Sequence, residues 1–221
     1  RQTNLYLETN DGALAAHKAM ARIRIDDDVV VATLKMRPSL VDGLMQSTEL
    51  EFPLDLSSAA RWRGQGGPSP SSIEMTDLPA PISAALTQLL ASDVSWAAPA
   101  LPGGAAPQRR LFVLGGLVNE RRTYALPRSA LSDAGVDRAD GQGASPAALQ
   151  IDLDATDGPA GDCRYELEFE DPAAAALRAA LEAKLWQLGV AFRPSECSKY
   201  VYFLRGLSAA ERRWRAGDDE A

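Results

Sequence analysis

The sequence predicts an α+β protein in which antiparallel strands close into a barrel with a charged interior and helices on the outside. The first observation is alternation: in several segments a charged residue is followed by an apolar one and then by another charged one, as in strands with two different faces. The second is charge sign, because Arg22 and Arg24 offer only positive charge whereas Glu166 and Glu168 offer only negative charge. Two more acidic runs behave alike: Glu49 with Glu51, and Asp152 with Asp154.

An open sheet with one face in water is the simpler interpretation, and it accounts for any one of these strands. It fits the whole set poorly, because a solvent-exposed face normally mixes lysine, glutamate, threonine and serine. Closure with the charged faces inward places opposite charges near one another and leaves the apolar faces for helices to cover. The sequence therefore favours a charged tunnel.

Alternation and a high content of Val, Ile and Thr predict four strands at the start of the chain. They cover residues 4–8, 20–26, 29–37 and 47–54. The aspartates of residues 26–28 are expected to form a hairpin turn, and Pro38 and Gly43 to lie in the next connection. Residues 57–72 are rich in Gly, Ser and Pro and are expected to form a surface loop.

A helix is expected over residues 79–96, with Thr76 or Asp77 as its N-cap. Its buried stripe follows helical spacing: Ile82, Leu86, Leu89 and Leu90. Strands resume at 111–118 and 121–126, and a flexible insertion is expected over 127–146. Residues 149–155 and 163–170 are predicted to pair as a hairpin.

The next helix is expected to have Asp171 as its N-cap and Pro172 in its first turn, and to end at Gly189 in the left-handed conformation. Its predicted buried stripe consists of Leu177, Leu181, Leu185 and Leu188. A last strand is expected near residues 200–204. Ser208 with Glu211 predicts the capping box of a short terminal helix.

Composition excludes several classes of protein. A chain of 221 residues is expected to form one domain over 1–221. The net charge of −7 argues against a general nucleic-acid binder, and no apolar run approaches the roughly 18 residues that span a bilayer. Cys163 and Cys197 lack metal-ligand spacing, so we expect free thiols in a reducing compartment, the cytoplasm or a plastid. The single histidine, His17, is expected at the surface.

A polyphosphate is the ligand that suits paired basic and acidic strands. Guanidinium and ammonium groups form strong charge-assisted hydrogen bonds to phosphate oxygens. Glutamate pairs supply the oxygen ligands that Mg²⁺ or Mn²⁺ prefers when it bridges protein to phosphate. Basic strands are therefore expected to bind phosphate and acidic strands to bind metal.

The ordered series of these motifs resembles the CYTH, or triphosphate tunnel metalloenzyme, superfamily over nearly the whole chain. The series runs through Asn4 to Thr9, Ala21 to Arg24, Leu34-Lys35, Glu49 to Glu51, Leu114 to Leu117 with Arg121, Asp154, Glu166 to Glu168, and Ser198 to Tyr200. The segment 35–40, the Gly115-Gly116 pair and Cys163 are most similar to the plant and algal branch, which is associated with hydrolysis of inorganic tripolyphosphate. The resemblance implies an eight-stranded tunnel.

Site roles follow from the resemblance one position at a time. The phosphate-binding residues that it implies are Arg22, Arg24, Lys35, Arg121 and Lys199, with Arg122 as the alternative to Arg121. The metal-binding residues that it implies are Glu166, Glu168, Glu49 and Glu51. It further implies that Lys199, Glu168 and Asp154 take part in catalysis, with Glu168 or Asp154 orienting the attacking water.

The implied activity is Mg²⁺- or Mn²⁺-dependent hydrolysis of a small-molecule triphosphate, most simply tripolyphosphate. Thiamine triphosphatase and adenylate cyclase activity are the alternatives within the superfamily, and a non-catalytic polyphosphate- or nucleotide-binding module is a third. The family's opening strand carries Glu-x-Glu-x-Lys, and we expect it upstream of Arg1. The sequence does not predict the oligomeric state.

Overall fold

The computed structural model describes residues 1–9, 11–26, 29–41, 44–55, 72–91, 110–127, 148–158, 161–171 and 174–207. Its strands are β1 (Gln2–Thr9), β2 (Ala19–Asp26), β3 (Val29–Val41), β4 (Leu44–Leu54), β5 (Ser72–Glu74), β6 (Arg110–Pro127), β7 (Ala148–Asp157) and β8 (Cys163–Glu168). Its α-helices are α1 (Ala13–Ala16), α2 (Ala80–Ala91), α3 (Ala174–Gln187) and α4 (Lys199–Gly206). The predictions for residues 57–71, 128–146 and 208–211 lie outside these ranges.

The described strands form one antiparallel sheet of eight strands, in the order β4-β3-β2-β1-β6-β7-β8, with β5 paired to the start of β6. The sheet curls into a half-barrel in which β4 and β8 are the end strands. The predicted α+β class, with eight antiparallel strands, is confirmed. None of the described helices has the length and apolar character needed to cross a bilayer.

One face of the sheet is apolar and packs against α2. Leu5 of β1, Ile23 of β2 and Leu34 of β3 are buried there, as alternation predicted. The helix contributes Ile82, Leu86 and Leu90 to the same core. Each such buried side chain contributes about 2 kcal/mol to folding, so this contact holds the first three strands in place.

The apolar face of β7 packs against α3. Leu149 and Ile151 contact a cluster that contains Leu177 and Leu181 of the helix. The prediction for Leu188 is wrong, because that side chain is 66% exposed. The helix ends at Gln187, and the backbone of Gly189 is left-handed with φ of +70°, so Leu188 leaves the helical stripe.

Strand β6 is continuous, although two separate strands were predicted. Gly115 has φ of +129°, and the register between β1 and β6 shifts between Tyr6 and Leu7. A Cβ atom on Gly116 would lie 2.6 Å from the backbone oxygen of Asn4. The glycine pair therefore forms a bulge at which two strands approach closely, rather than a break between strands.

The predicted last strand is wrong, because residues 199–206 form α4. Ser198 caps this helix by accepting a hydrogen bond from the backbone N–H of Val201 at 3.3 Å. Phe203 and Leu207 are buried at helical spacing. The ring of Phe203 lies 5.0 Å from that of Tyr6, so α4 packs on the charged face of the sheet while α2 and α3 cover the apolar face.

Two local predictions also differ from the structure. Pro38 lies inside β3, at a register shift between Met36 and Ser39, rather than in a connection. Neither Thr76 nor Asp77 caps α2, which begins at Ala80. Asp77 instead ends a 3₁₀ turn, where its carboxylate accepts a hydrogen bond from the backbone N–H of Glu74.

Candidate functional site

The charged face of β2, β3 and β4 carries a net positive charge and is called here the basic wall. It consists of Arg22, Arg24, Lys35, Glu49 and Glu51. Lys35 lies opposite Glu49 in the β3–β4 register, and its Nζ is 2.9 Å from Glu49 Oε2. Arg22 Nη2 and Arg24 Nη1 lie 3.4 and 3.7 Å from Oε1 of Glu51. The two glutamates hold the basic groups in place and leave one positive charge in excess.

Two buried polar atoms beside the basic wall lack a hydrogen-bond partner among the described residues. They are Nε of Arg22 and Oδ1 of Asn4, which lies opposite Arg24 in the β1–β2 register. Burial lowers the pKa of Arg22. Buried polar groups in native proteins are normally satisfied, so unsatisfied ones indicate a position for water or a polar ligand.

The charged face of β7 and β8 carries four carboxylates, called here the acidic wall: Asp152, Asp154, Glu166 and Glu168. Asp154 lies opposite Glu166 on one side and opposite Arg121 of β6 on the other. Arg121 Nη2 lies 2.6 Å from Asp154 Oδ2 and 2.6 Å from Glu168 Oε2. Its Nη1 lies 2.9 Å from Asp152 Oδ2, so one guanidinium joins three carboxylates.

The structure resolves which of two adjacent arginines belongs to the site. Arg122 points to the opposite face of β6, where its side chain is 66% exposed. It pairs there with Glu120 at 2.7 Å. Because side chains alternate along a strand, Arg121 alone of this pair joins the acidic wall.

Lys199, the first residue of α4, inserts its ammonium group into the acidic wall. Its Nζ lies 2.7 Å from Asp154 Oδ2 and 3.3 Å from Glu166 Oε2, and it donates a hydrogen bond to Glu168. The Asp154 side chain has no solvent exposure, and that of Lys199 is only 15% exposed. Three carboxylates thus converge on one nitrogen.

These contacts keep the buried groups ionised. Burial raises the pKa of Asp154, but hydrogen bonds from Arg121 and Lys199 lower it by a larger amount. The pKa of Asp154 therefore lies well below its usual value. Burial lowers the pKa of Lys199, but the carboxylates of Glu168 and Glu166 more than offset this and raise it. At neutral pH Asp154 and Lys199 therefore both carry a full charge.

Arg164 of β8 belongs to the same region and was missed by the sequence analysis. Its guanidinium lies 2.6 Å from Glu166 Oε1. It also donates hydrogen bonds to Ser195 Oγ at 2.6 Å and to the backbone oxygen of Cys197 at 2.9 Å. Arg164 therefore ties a site carboxylate to the segment that leads into Lys199. Arg164 and Glu166 are two residues apart in β8, so alternation places both on one face of the strand. This spacing was the available signal.

Tyr6 of β1 lies at the centre of the charged face, beneath α4. Its ring packs against Tyr200 at 5.1 Å and Phe203 at 5.0 Å. Burial raises the pKa of Tyr6 to about 12, and its hydroxyl interacts electrostatically with Arg22 of one wall and Lys199 at the other. The side chain of Tyr6 thus lies between the two walls.

The first strand's glutamate has a structural role. Glu8 accepts hydrogen bonds from the backbone N–H groups of Leu14 at 2.8 Å and Ala15 at 2.9 Å, at the start of α1. It also accepts one from the backbone of Thr9. Glu8 therefore fixes the chain between β1 and β2.

The acidic wall fits a divalent cation by its chemistry. Its donors are carboxylate oxygens, which suit Mg²⁺ and Mn²⁺. The buried Oε2 atom of Glu166 makes no hydrogen bond within the described residues, although Lys199 Nζ lies 3.3 Å from it. The described ranges contain no group of three or more His, Cys, Asp or Glu side chains arranged as a ready-made metal site. The carboxylates are grouped around Arg121 and Lys199 instead.

A cavity of about 450 Å³ lies away from both walls, between the ends of β3 and β4 and the side of α3. Its lining includes Val41, Leu44 and Ala179, with Arg178 and Glu182 paired at 2.6 Å. The two cysteines are free thiols as predicted, with Cys163 exposed and Cys197 buried.

The chain matches known proteins at the level of family and fold. The family model described as the CYTH domain matches residues 1–195. The Hippeastrum protein HpAC1, provisionally called an adenylyl cyclase and described as having a dominant triphosphatase activity, is 23% identical, with a TM-score of 0.59 over 95% of this chain and 84% of that one. No curated protein matches the chain.

A second solved structure, a Bacillus halodurans protein provisionally described as an adenylate cyclase, is 22% identical. Its TM-score is 0.50, over 91% of this chain and 81% of that one. Identities this low establish only the shared fold, which in this chain is an antiparallel sheet curled into a half-barrel. The family match includes both walls and ends before Lys199. The chain belongs to the CYTH family.

Proposed function

We propose that this protein is a divalent-metal-dependent triphosphatase that hydrolyses inorganic tripolyphosphate to pyrophosphate and phosphate on the charged face of its sheet. The observation that carries this proposal is the separation of charge into two walls. A triphosphate carries several negative charges and is commonly bound together with a divalent cation, so it needs basic groups and carboxylates at once.

The basic wall supplies the phosphate contacts. Arg22, Arg24 and Lys35 project from neighbouring strands, and Arg22 has an unsatisfied donor at Nε. Arginine binds phosphate oxygens through two parallel N–H groups, and lysine acts as a compact positive charge. These side chains would bind and orient the anion, with Arg121 and Lys199 contacting it from the other wall.

The acidic wall supplies the metal ligands. Glu166 and Glu168 would hold Mg²⁺ or Mn²⁺, and the bound ion would supply neutralisation of the charge on the transferring phosphoryl group. Glu49 and Glu51 are engaged with the basic wall, so their contribution is to position Arg22, Arg24 and Lys35.

Glu168 is the better candidate for orienting the attacking water. Both carboxylates pair with Arg121 and Lys199, but the side chain of Glu168 is 41% exposed, whereas that of Asp154 has no exposure. A group that orients water must reach it, directly or through one hydrogen bond. Asp154 instead holds the two basic groups of the acidic wall in position.

Cyclase and thiamine triphosphatase activity are the alternatives, because all these substrates present a triphosphate to the same walls. A binding module that does not turn its ligand over is the third. Release of inorganic phosphate from tripolyphosphate, thiamine triphosphate and ATP, together with formation of cyclic AMP and pyrophosphate from ATP, separates them. Each reaction is measured with Mg²⁺ or Mn²⁺ and with EDTA as control. We expect metal-dependent release with tripolyphosphate as the best substrate. Tight tripolyphosphate binding with no phosphate release from any substrate and no cyclic AMP from ATP would indicate the binding module.

A further inference from the structure

We propose that the ammonium group of Lys199 and a divalent cation compete for the same carboxylates, so that cation binding moves Lys199 out of the acidic wall. The inference rests on the proposed function only in placing the cation there. It assigns Lys199 two successive partners, the carboxylates first and the phosphate afterwards.

The geometry of the carboxylates is the first argument. Asp154, Glu166 and Glu168 come from two neighbouring strands and converge on Lys199 Nζ, at 2.7 Å, at 3.3 Å and through a direct hydrogen bond. A point surrounded by several carboxylate oxygens is what a hard divalent cation requires. The ammonium group therefore lies where such an ion would bind.

Repulsion is the second argument. A divalent cation and an ammonium group at the same carboxylates repel each other twice as strongly as two single charges at that distance. Mg²⁺ binds its oxygens at about 2.0–2.1 Å, which is closer than an ammonium group approaches, and it tolerates little distortion of its ligands. The cluster of Asp154, Glu166 and Glu168 therefore holds either the ammonium group or the metal ion, but not both at full occupancy.

Mobility is the third argument, because Lys199 is less tethered than Arg121 and Arg164. Arg164 of β8 is held by Ser195 Oγ and by the backbone oxygen of Cys197. Arg121 is part of β6 and forms ion pairs with Asp152 and Asp154. Lys199 is at the start of α4, where the cap from Ser198 and the anchor at Arg164 fix the backbone and leave the four-carbon side chain to rotate. Lys199 can therefore turn away without unfolding its helix.

The consequence is an order of binding. Metal enters the acidic wall first, and the displaced ammonium group then faces the charged interior as an additional phosphate ligand. Tripolyphosphate added before metal meets a wall whose lysine is still paired with carboxylates. Metal and triphosphate are therefore expected to bind cooperatively, with each increasing the affinity for the other.

Calorimetric titration of Mn²⁺ into the protein, without any triphosphate, tests the competition. Lys199→Met removes the competing ammonium while keeping the side chain long, and Arg24→Met is the matched control that removes one positive charge from the other wall. We expect Lys199→Met to lower the Kd for Mn²⁺ about tenfold or more, and Arg24→Met to lower it less than about threefold, since Coulomb effects fall with distance. An unchanged or higher Kd in Lys199→Met, equal effects in both variants, or no Mn²⁺ binding by either protein would overturn the inference.

A measurement on the wild-type protein covers the case in which Lys199→Met does not fold. Amine acetylation followed by mass spectrometry reports how fast each lysine reacts, and the exposed Lys184 serves as the internal reference. Saturating Mn²⁺ is expected to speed modification of Lys199 several-fold and to leave Lys184 unchanged. A Lys199 rate that stays constant at saturating Mn²⁺ would contradict the displacement. Both measurements omit triphosphate, so they stand apart from a failure to hydrolyse it.

Discussion

The ammonium nitrogen of Lys199 lies 2.7 Å from Oδ2 of Asp154, although 45 residues separate the two in the chain. Asp154 is fixed in β7 by its pairing with Arg121, and Lys199 is delivered by α4 packing on Tyr6. The contact therefore joins the central strands, the acidic strands and the last described helix. Its integrity depends on the tertiary fold rather than on any local motif.

Arg121→Ala is predicted to destabilise the protein, whereas Arg122→Ala is not. Arg121 joins three carboxylates, one of them without solvent exposure, and its loss leaves buried negative charge at a cost of about 3 kcal/mol. Arg122 forms an exposed pair with Glu120, whose loss is expected to leave stability nearly unchanged because solvent screens such pairs. Urea unfolding of the two adjacent variants measures this difference directly. Equal stability of both would show that the acidic wall is not assembled as described.

Arg164→Met is predicted to loosen the start of α4 without unfolding the sheet. The guanidinium anchors Ser195 and Cys197 just before the helix cap, so its loss frees the backbone that positions Lys199. Hydrogen exchange should show lost protection at the first amides of α4 and unchanged protection in β1 and β2. The exposed Arg193, which pairs with Glu196, provides the control substitution to methionine. Unchanged exchange in α4 of Arg164→Met would rule out the anchoring role.

Tyr6 is predicted to ionise far above the usual pH of a tyrosine. Burial raises its pKa from 10.0 to about 12, so the folded protein holds the phenolic proton more tightly than the unfolded chain. The resulting stability is fully present below pH 10 and is lost as the pH rises from 10 towards 12. The difference in absorbance at 295 nm between wild type and Tyr6→Phe should have its midpoint near 12. A midpoint near 10 would mean that Tyr6 is not buried between the walls.

Alternation predicted the strands and their faces well, because burial of one face of a sheet requires apolar residues at every second position. It placed Arg22 and Arg24 on one side of their strand, and Glu166 and Glu168 on one side of theirs. All four side chains lie on the charged face of the sheet. It failed for α4, whose aromatic residues also alternate at 200 and 202. The cap at Ser198 and the spacing from Tyr200 through Phe203 and Leu204 to Leu207 contained the helical signal.

Contacts between distant segments were beyond the sequence. Neither the choice of Arg121 over Arg122 nor the anchoring by Arg164 follows from residue types, because both depend on strand register and on where α4 packs. The bulge at Gly115 and Gly116 likewise depends on the close approach of β1. The resemblance implied the roles of the site residues, and the structure shows which residues contact them.

Phosphate release from tripolyphosphate with Mg²⁺, measured for wild type, Arg24→Ala and Lys199→Ala, tests the central claim most directly. Both truncated side chains belong to the charged face, and the partly exposed Arg24–Glu51 pair contributes less than about 1 kcal/mol to stability. We predict metal-dependent release by wild type and a loss of about 100-fold or more in each variant, with circular dichroism unchanged. Near-normal turnover by both folded variants would contradict the account.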